Sequence, residues 1–204
     1  NAVSLLPTLN DMRSSRGEQG LERETSFDPD LSVEAPARTV TPPANVTTQL
    51  LAKKVHPYLM PSLAKVIKGV DVAANLKTIA TVVEKILQIA DGAGCRRLMW
   101  VASGFLEGLR DGSLELTKET KPLLGKIEQQ VRLLASKDEA GLDEDAVNTA
   151  VKALLTQLAS SSATGTRASA VKQAFQLDIA GEEAEVALGG MNAELKKTVS
   201  ADIV

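Results

Sequence analysis

Apolar residues recur at helical spacing along most of the chain after residue 45. The clearest run follows Asp71, where leucine, isoleucine and valine return every three or four positions until Gly92. No segment alternates apolar and polar residues over the length of a strand. The pattern therefore predicts an all-α fold. Besides the helix over 72–91, it predicts helices over 46–68, 95–110, 118–135, a segment after Asp143, 166–176 and 182–188.

Short links between these helices predict an up-and-down helical bundle. We expect the bundle to cover 45–136 and to be built from four helices, with additional flanking helices over 137–204. The last of these begins at Met191 and is truncated by the end of the chain. In residues 1–44 the pattern predicts a short helix over 2–16, followed by a proline-rich arm that adheres to the bundle.

Several local signals predict where helices begin, end or bend. The first bundle helix has Leu50, Leu51 and Val55 on one side, and His56-Pro57 and Met60-Pro61 predict a kink or two consecutive helices. Glycine in Asp111-Gly112 predicts the end of the helix over 95–110. Four residues have the side chains typical of helix N-caps: Asn45, Asp71, Thr117 and Asp143.

Composition narrows the classes of function. The 204 residues carry a formal net charge of −3 with both signs mixed along the chain, which argues against binding to nucleic acid. A single cysteine excludes an internal disulfide and a multi-thiolate metal site, and favours a reducing compartment, the cytoplasm. No apolar run approaches the ~20 residues of a membrane span, so we expect no membrane insertion.

Candidate catalytic residues are few. His56 lies on a predicted bundle helix, as the phosphate acceptor of a phosphotransfer domain does, but it lacks the Lys-Gly that follows such a histidine three and four positions later. The segment Lys65-Val66-Ile67-Lys68-Gly69 has that spacing with lysine in place of histidine. Arg96 and Arg97 beside Cys95 are able to lower the pKa of its thiol. We find no motif for a cofactor, a metal or an active site, and predict that the chain is not an enzyme.

A protein-binding surface is the remaining candidate site. The helix over 95–110 is expected to direct its arginines outward and to place the only tryptophan between its inner and outer faces. Tryptophan and arginine are enriched among the residues that dominate protein interfaces. The residues predicted to form this surface are Arg96, Arg97, Trp100 and Arg110.

Eight segments of the chain carry a family resemblance: Leu5–Arg13, Arg16–Glu18, Phe27–Leu31, Cys95–Ala102, Phe105–Glu107, Asp111–Leu116, Lys121–Ile127 and Ala170–Leu177. Through these segments most of the chain resembles the FimL/ChpA (PilL) family of type IV pilus chemosensory proteins, in a phosphotransfer-like region without an acceptor histidine. The missing His-x-x-Lys-Gly, and the segment Leu154–Ser160 where the kinase family tends to have a tyrosine-rich stretch, make FimL the nearer of the two. The resemblance implies a degenerate phosphotransfer (Hpt-like) four-helix bundle.

The resemblance also implies a function and partners. The chain would be a non-catalytic scaffold or adaptor that regulates twitching motility, cyclic AMP signalling and virulence. Its partners would be a PilG-like receiver protein and a FimV-like polar hub protein, in the cytoplasm and at the cell pole. Three alternatives remain: a non-phosphorylated spacer module of the ChpA (PilL) chemosensory kinase, an enzyme with an unrecognised site, and a helical dimerisation module.

Overall fold

The computed structural model of the protein describes residues 28–39, 41–43 and 45–177. The chain divides into two units, and the account that follows concerns the one that runs from Asp28 to Phe175. The helices predicted over 2–16, over 182–188 and from Met191 lie outside the described residues.

The described residues contain helices and no strand, which confirms the predicted all-α fold class. The likeness to a phosphotransfer bundle, and the division of the chain at residues 44 and 136, stay predictions. The helices are α1 (Thr48–Ile67), α2 (Val72–Ile89), α3 (Ala93–Asp111), α4 (Lys121–Lys137), α5 (Glu144–Ala159) and α6 (Thr166–Ala174), with a turn of 3₁₀ helix at Glu139–Gly141.

A kink or two consecutive helices was predicted here; helix α1 continues through both of its prolines, so the second alternative is wrong and the kink stays a prediction. Pro57 and Pro61 are four residues apart and both are exposed, so they lie on the solvent side of the helix. The hydrogen bonds that the two rings remove therefore face water, which satisfies the freed carbonyl groups. On the opposite side, buried Leu59 and Leu63 hold the helix against its neighbours.

The predicted helix ends are confirmed where the signal is local. Asp143 caps α5 by accepting a hydrogen bond of 2.8 Å from the amide of Ala146, and Gly112 ends α3 with a left-handed backbone. Thr47 caps α1 in place of Asn45, because its hydroxyl accepts from the Leu50 amide three residues on. Asp71 and Thr117 were also expected to cap helices. Asp71 precedes α2 without a capping bond, and Thr117 caps a turn that precedes α4.

Helix α3 is the central element of the unit. Thirteen of its nineteen residues are buried, more than one face of a helix supplies, because α2, α5 and α6 all pack against it. Helix α1 packs against α2 and α4, and α4 also contacts α5 and the 3₁₀ turn. Each fully buried leucine, valine or phenylalanine on these helices contributes about 1.5–3 kcal/mol relative to an exposed one.

The carboxylate of Glu139 joins three elements at the start of α3. It accepts hydrogen bonds from the backbone amides of Asp91 (2.9 Å) and Gly92, and from the hydroxyl of Thr48 on α1. A negative charge at a helix N-terminus is favourable, and here it also satisfies two amides that the helix itself leaves without partners. A side chain at position 92 would collide with this carboxylate, since a Cβ atom there would lie 2.7 Å from Glu139 Oε2.

The carboxylate of Glu107 serves α6 in a similar way. Glu107 lies on α3 and accepts hydrogen bonds of 2.8 Å from the amides of Arg167 and Ala168, in the first turn of α6. A Cβ atom at Gly165 would lie 2.4 Å from Glu107, so only glycine fits beside it. Arg167 also pairs with Glu84 on α2 at 3.1 Å, so α6 is fixed to two helices by polar contacts.

Residues 28–39 form an extended segment, which we call the arm, along the helices. The guanidinium of Arg38 donates to the carbonyl of Ala90 and to the Asp91 carboxylate, and Arg96 of α3 donates to the carbonyl of Pro36. Asp28 pairs with Lys152 of α5 at 2.6 Å. No helix in the described part of the chain is both long and apolar enough to cross a membrane.

We predict that Glu139→Ala lowers the free energy of unfolding by about 1–2 kcal/mol, because it removes the acceptor for two helix-end amides. Glu139→Gln keeps one acceptor oxygen and is expected to cost less. Urea denaturation monitored by circular dichroism measures both effects. Glu115→Ala is the matched control, since Glu115 is exposed; an equal loss in that variant would show that the Glu139 contacts contribute nothing specific.

Candidate protein-interaction surface

The four residues predicted to bind a protein do not form one exposed patch. Arg110 is exposed, Arg96 is half-buried, and Arg97 and Trp100 are buried. Arg96 and Arg110 are also fourteen positions apart on α3, which separates them by about 21 Å along the helix axis. Their role in binding stays a prediction, but the outward placement expected for Arg97 is wrong.

Trp100 is covered by the end of α6. Its ring centroid lies 5.9 Å from that of Phe175, with the two planes tilted by 34°, and only 5% of its surface is accessible. The sequence placed it between the inner and outer faces of α3. The structure buries it because α6 packs on that side of the helix.

Arg97 is buried by α5. Its guanidinium donates a hydrogen bond of 3.0 Å to the side-chain oxygen of Asn148, while its Nε has no hydrogen-bond partner among the described residues. Asn148 is neutral, so this bond does not balance the charge of Arg97. A buried charged group needs hydrogen bonds, and the bond to Asn148 makes Arg97 part of the α3–α5 contact.

Arg96 binds the C-terminal end of α2. It donates to the carbonyls of Leu87 and Ala90 at 3.5 Å, beside Arg38, which donates to the same Ala90 carbonyl. Helix α2 has no basic residue in its own last turn, so these two arginines supply the positive charge that a helix C-terminus favours. Arg96 and Trp100 line a groove of about 520 Å³, which the arm borders on one side.

Cys95 is not a reactive thiol. Burial raises the pKa of its thiol well above the usual range, and the carboxylates of Glu139 and Asp138 raise it further. Arg96 acts in the opposite direction with a smaller effect. The sequence placed two arginines that are able to lower this pKa beside the thiol, but the thiol lies in the protein interior, where the charged form is poorly solvated.

His56 connects two helices. Its Nε2 lies 2.8 Å from Oε1 of Glu128 on α4, and Arg132 approaches the same carboxylate oxygen at 3.7 Å. The imidazole is half-buried at this α1–α4 contact and is already engaged by a carboxylate. Within the residues that the structure describes, no group of three or more His, Cys, Asp or Glu side chains is arranged to hold a metal ion.

The solvent side of α1 is unusually apolar. In the described part of the chain, the large hydrophobic residues with high exposure are Leu50, Tyr58, Met60, Ile67 and Val70, all on α1 or directly after it. Exposed prolines and an alanine join them in a stripe along the second half of the helix, and Leu50 lies on the same side near its start, beyond Lys53 and Lys54. We call this stripe the α1 outer face, and its apolar members are Leu50, Pro57, Met60, Pro61, Ala64 and Ile67.

Lysines lie near both ends of the α1 outer face. Residues 48–68 contain Lys53, Lys54, Lys65 and Lys68 and no acidic residue, although the whole chain has a net charge of −3. All four lysines are exposed, and none forms an ion pair with another residue that the structure describes. The stripe is therefore an apolar surface within a positive rim.

A comparison with protein families shows which family this chain belongs to. The family model described as FimL scaffold protein second domain matches residues 44–187, which include the six helices of the described residues. The chain belongs to the FimL second-domain family. The resemblance to FimL that the sequence indicated is thereby confirmed.

One curated relative is the scaffold protein FimL of Pseudomonas aeruginosa. It is 23% identical over 132 residues, which cover 64% of this chain and 24% of the relative. The chain thus spans about a quarter of the length of that FimL protein. No solved structure matches the chain.

The α1 outer face of this FimL-family chain was missed from the sequence. Leu50 was grouped with Leu51 and Val55, but Leu50 is 53% exposed while Val55 is buried. A signal was present: Leu50, Pro57 and Ala64 recur every seven residues, a second apolar stripe beside the one that packs inward. The two prolines hid it, because they were read as interruptions of the helix.

We predict that the Cys95 thiol of the folded chain reacts with iodoacetamide at pH 8 about 100-fold more slowly than that of the unfolded chain. Burial limits access, and the raised pKa keeps the thiol protonated at that pH. Mass spectrometry of the alkylated protein gives both rates. Similar rates with and without denaturant would show that the thiol is accessible.

We predict that Trp100→Ala lowers the free energy of unfolding by about 3–5 kcal/mol, as expected for a large aromatic side chain removed from a core. Arg110→Ala, a change on the exposed part of the same helix, should alter it by no more than about 0.5 kcal/mol. Chemical denaturation followed by far-UV circular dichroism compares the two. Small effects in both variants would place Trp100 at the surface.

Proposed function

We propose that this chain is a non-catalytic scaffold module that regulates twitching motility by type IV pili and cyclic AMP signalling through contacts with other proteins. The observation that carries the proposal is the match to the FimL second domain over 44–187. The relative in Pseudomonas aeruginosa is a scaffold protein by name, and a scaffold acts by binding other proteins. Because the chain spans 24% of that relative, the proposal concerns this segment of such a protein.

The positions of the chemically capable side chains support a non-catalytic role. The Cys95 thiol is buried, with a raised pKa, and His56 is held by Glu128 between two helices. The carboxylates of Glu107 and Glu139 each accept hydrogen bonds from backbone amides at the start of a helix. The imidazole and the two carboxylates are thus engaged in contacts that stabilise the fold, and the thiol is enclosed beside Glu139.

The partners that we propose are a PilG-like receiver protein and a FimV-like polar hub protein, bound in the cytoplasm and at the cell pole. Their support is the family resemblance of the sequence, strengthened by the two FimL matches. Both matches are to FimL proteins, which favours the scaffold over a spacer module in the ChpA (PilL) kinase. Virulence regulation would follow from the effect on cyclic AMP.

We expect the chain to bind the receiver domain of the same pilus system in a saturable manner. Isothermal titration of the 204-residue chain with that receiver measures the affinity and the stoichiometry. A receiver domain from an unrelated two-component system is the control, and it should give no binding heat. A parallel titration with the cytoplasmic part of the hub protein tests the second proposed partner.

The outcomes separate the parts of the proposal. Binding of the cognate receiver alone supports the adaptor function, and binding of the hub alone places the receiver site elsewhere in the longer protein. Equal heats from cognate and unrelated receivers would show non-specific association. If neither the receiver nor the hub binds at any attainable concentration, the scaffold function of this segment is overturned.

A further inference from the structure

The α1 outer face is an apolar surface that the described part of the chain leaves open. Scattered exposed hydrophobic residues are normal on a protein surface, but a contiguous stripe marks a contact site. Here the exposed large hydrophobic side chains of the described residues lie together, between Leu50 and Val70. Their concentration on one helix distinguishes this surface from the other faces of the unit.

The shape of the surface fits a helix. Its apolar members recur with the seven-residue spacing that a second helix meets when it packs along the first at a shallow angle. Pro57, Pro61 and Ala64 are smaller than the other members of the stripe, so a partner backbone is able to approach closely beside Met60. The larger Leu50 and Ile67 lie towards the ends, where they project beside an approaching helix.

The positive charge of the surface favours a partner helix that carries negative charge. Lys53 and Lys54 lie near one end of the stripe, and Lys65 and Lys68 lie near the other. Their charges are not neutralised by ion pairs with the residues that the structure describes. A helix with an apolar stripe flanked by glutamate or aspartate would place opposite charges against these lysines, as charged residues beside a coiled-coil seam do.

From these observations we infer that the α1 outer face is a docking site for an acidic amphipathic helix of a partner protein. The inference rests on the proposed function in one respect, that the chain acts by binding proteins. It adds where a partner binds, which secondary structure the partner presents and which charge that structure carries.

Two other occupants are disfavoured by the same residues. A second copy of this chain that docked through the same face would oppose four lysines with four lysines, and residues 48–68 contain no acidic side chain to offset the repulsion. A membrane surface would attract the lysines, but helices that lie in membranes carry tryptophan, phenylalanine and leucine on their apolar side. The α1 outer face contains no tryptophan or phenylalanine, and half of its members are two prolines and an alanine.

The test uses the 204-residue chain and a fluorescein-labelled synthetic helical peptide of about three heptads, with leucine at the a and d positions and glutamate at the flanking positions. A control peptide carries lysine in place of glutamate. Fluorescence anisotropy should show saturable binding of the acidic peptide and at least tenfold weaker binding of the basic one. Binding of the acidic peptide should also weaken as salt is raised, because the rim charges are exposed.

Two double variants locate the site. Met60→Ser with Ile67→Ser removes apolar contacts, and Lys53→Glu with Lys54→Glu reverses the rim charge; each should weaken binding about tenfold or more. Lys77→Glu with Lys85→Glu changes two exposed lysines of α2 and is the matched control, with binding expected to stay within about twofold. Because all these positions are exposed, circular dichroism and the emission of Trp100 should be unchanged in every variant.

Four results would overturn the inference. The first is equal binding of the acidic and basic peptides, and the second is equal peptide binding by the α1 variants and the α2 control. The third is self-association of the chain that is lost when α1 is substituted. The fourth is binding to phosphatidylcholine vesicles containing about one third phosphatidylglycerol that depends on α1, together with no binding of the acidic peptide. The peptide assay contains no pilus component, so its failure is distinct from a failure of the receiver and hub titrations.

Discussion

The carboxylate of Glu139 holds together parts of the chain that are far apart in sequence. It joins the hydroxyl of Thr48, at the start of α1, to the amides of Asp91 and Gly92, at the start of α3. Helix α3 is the element around which α2, α5 and α6 pack. One side chain in a short 3₁₀ turn therefore connects the start of α3 to the start of α1. The contact requires glycine at position 92, because a side chain there would collide with the carboxylate.

Other helix ends in the unit are also closed by residues from elsewhere in the chain. Glu107 of α3 caps α6, and Arg38 and Arg96 bind the C-terminal carbonyls of α2. Each of these contacts exists only when two elements are packed together, so helix ends and tertiary packing become stable at the same time. Such coupling is one source of the all-or-none unfolding that single domains show.

The sequence predicted the helices well because their apolar periodicity is strong, and it predicted Asp143 and Gly112 correctly because those signals act within a few residues. Burial of Arg97 and Trp100 was out of reach for a physical reason. Both residues lie beside the charged positions of α3, so the pattern of that helix alone does not indicate which of its faces α5 and α6 will cover.

For α1, the sequence did not indicate which of two apolar stripes is buried. Its inward stripe and its outer stripe are both apolar, and only the packing against α2 and α4 shows which of them is buried. Pro57 and Pro61 were informative in a way that the sequence alone did not reveal. Two prolines four residues apart are tolerated in a continuous helix when both face solvent, so their spacing identified the exposed side.

The path of the arm has a practical consequence for how this domain is cut from a longer protein. A fragment that begins at residue 44, where the family match begins, would lack Arg38 and the Pro36 carbonyl that Arg96 binds. The last turn of α2 would then keep one guanidinium where the longer chain has two. The family match thus begins at residue 44, whereas the contacts of the arm begin at Asp28. A fragment that starts at or before Asp28 retains every contact of the arm described above.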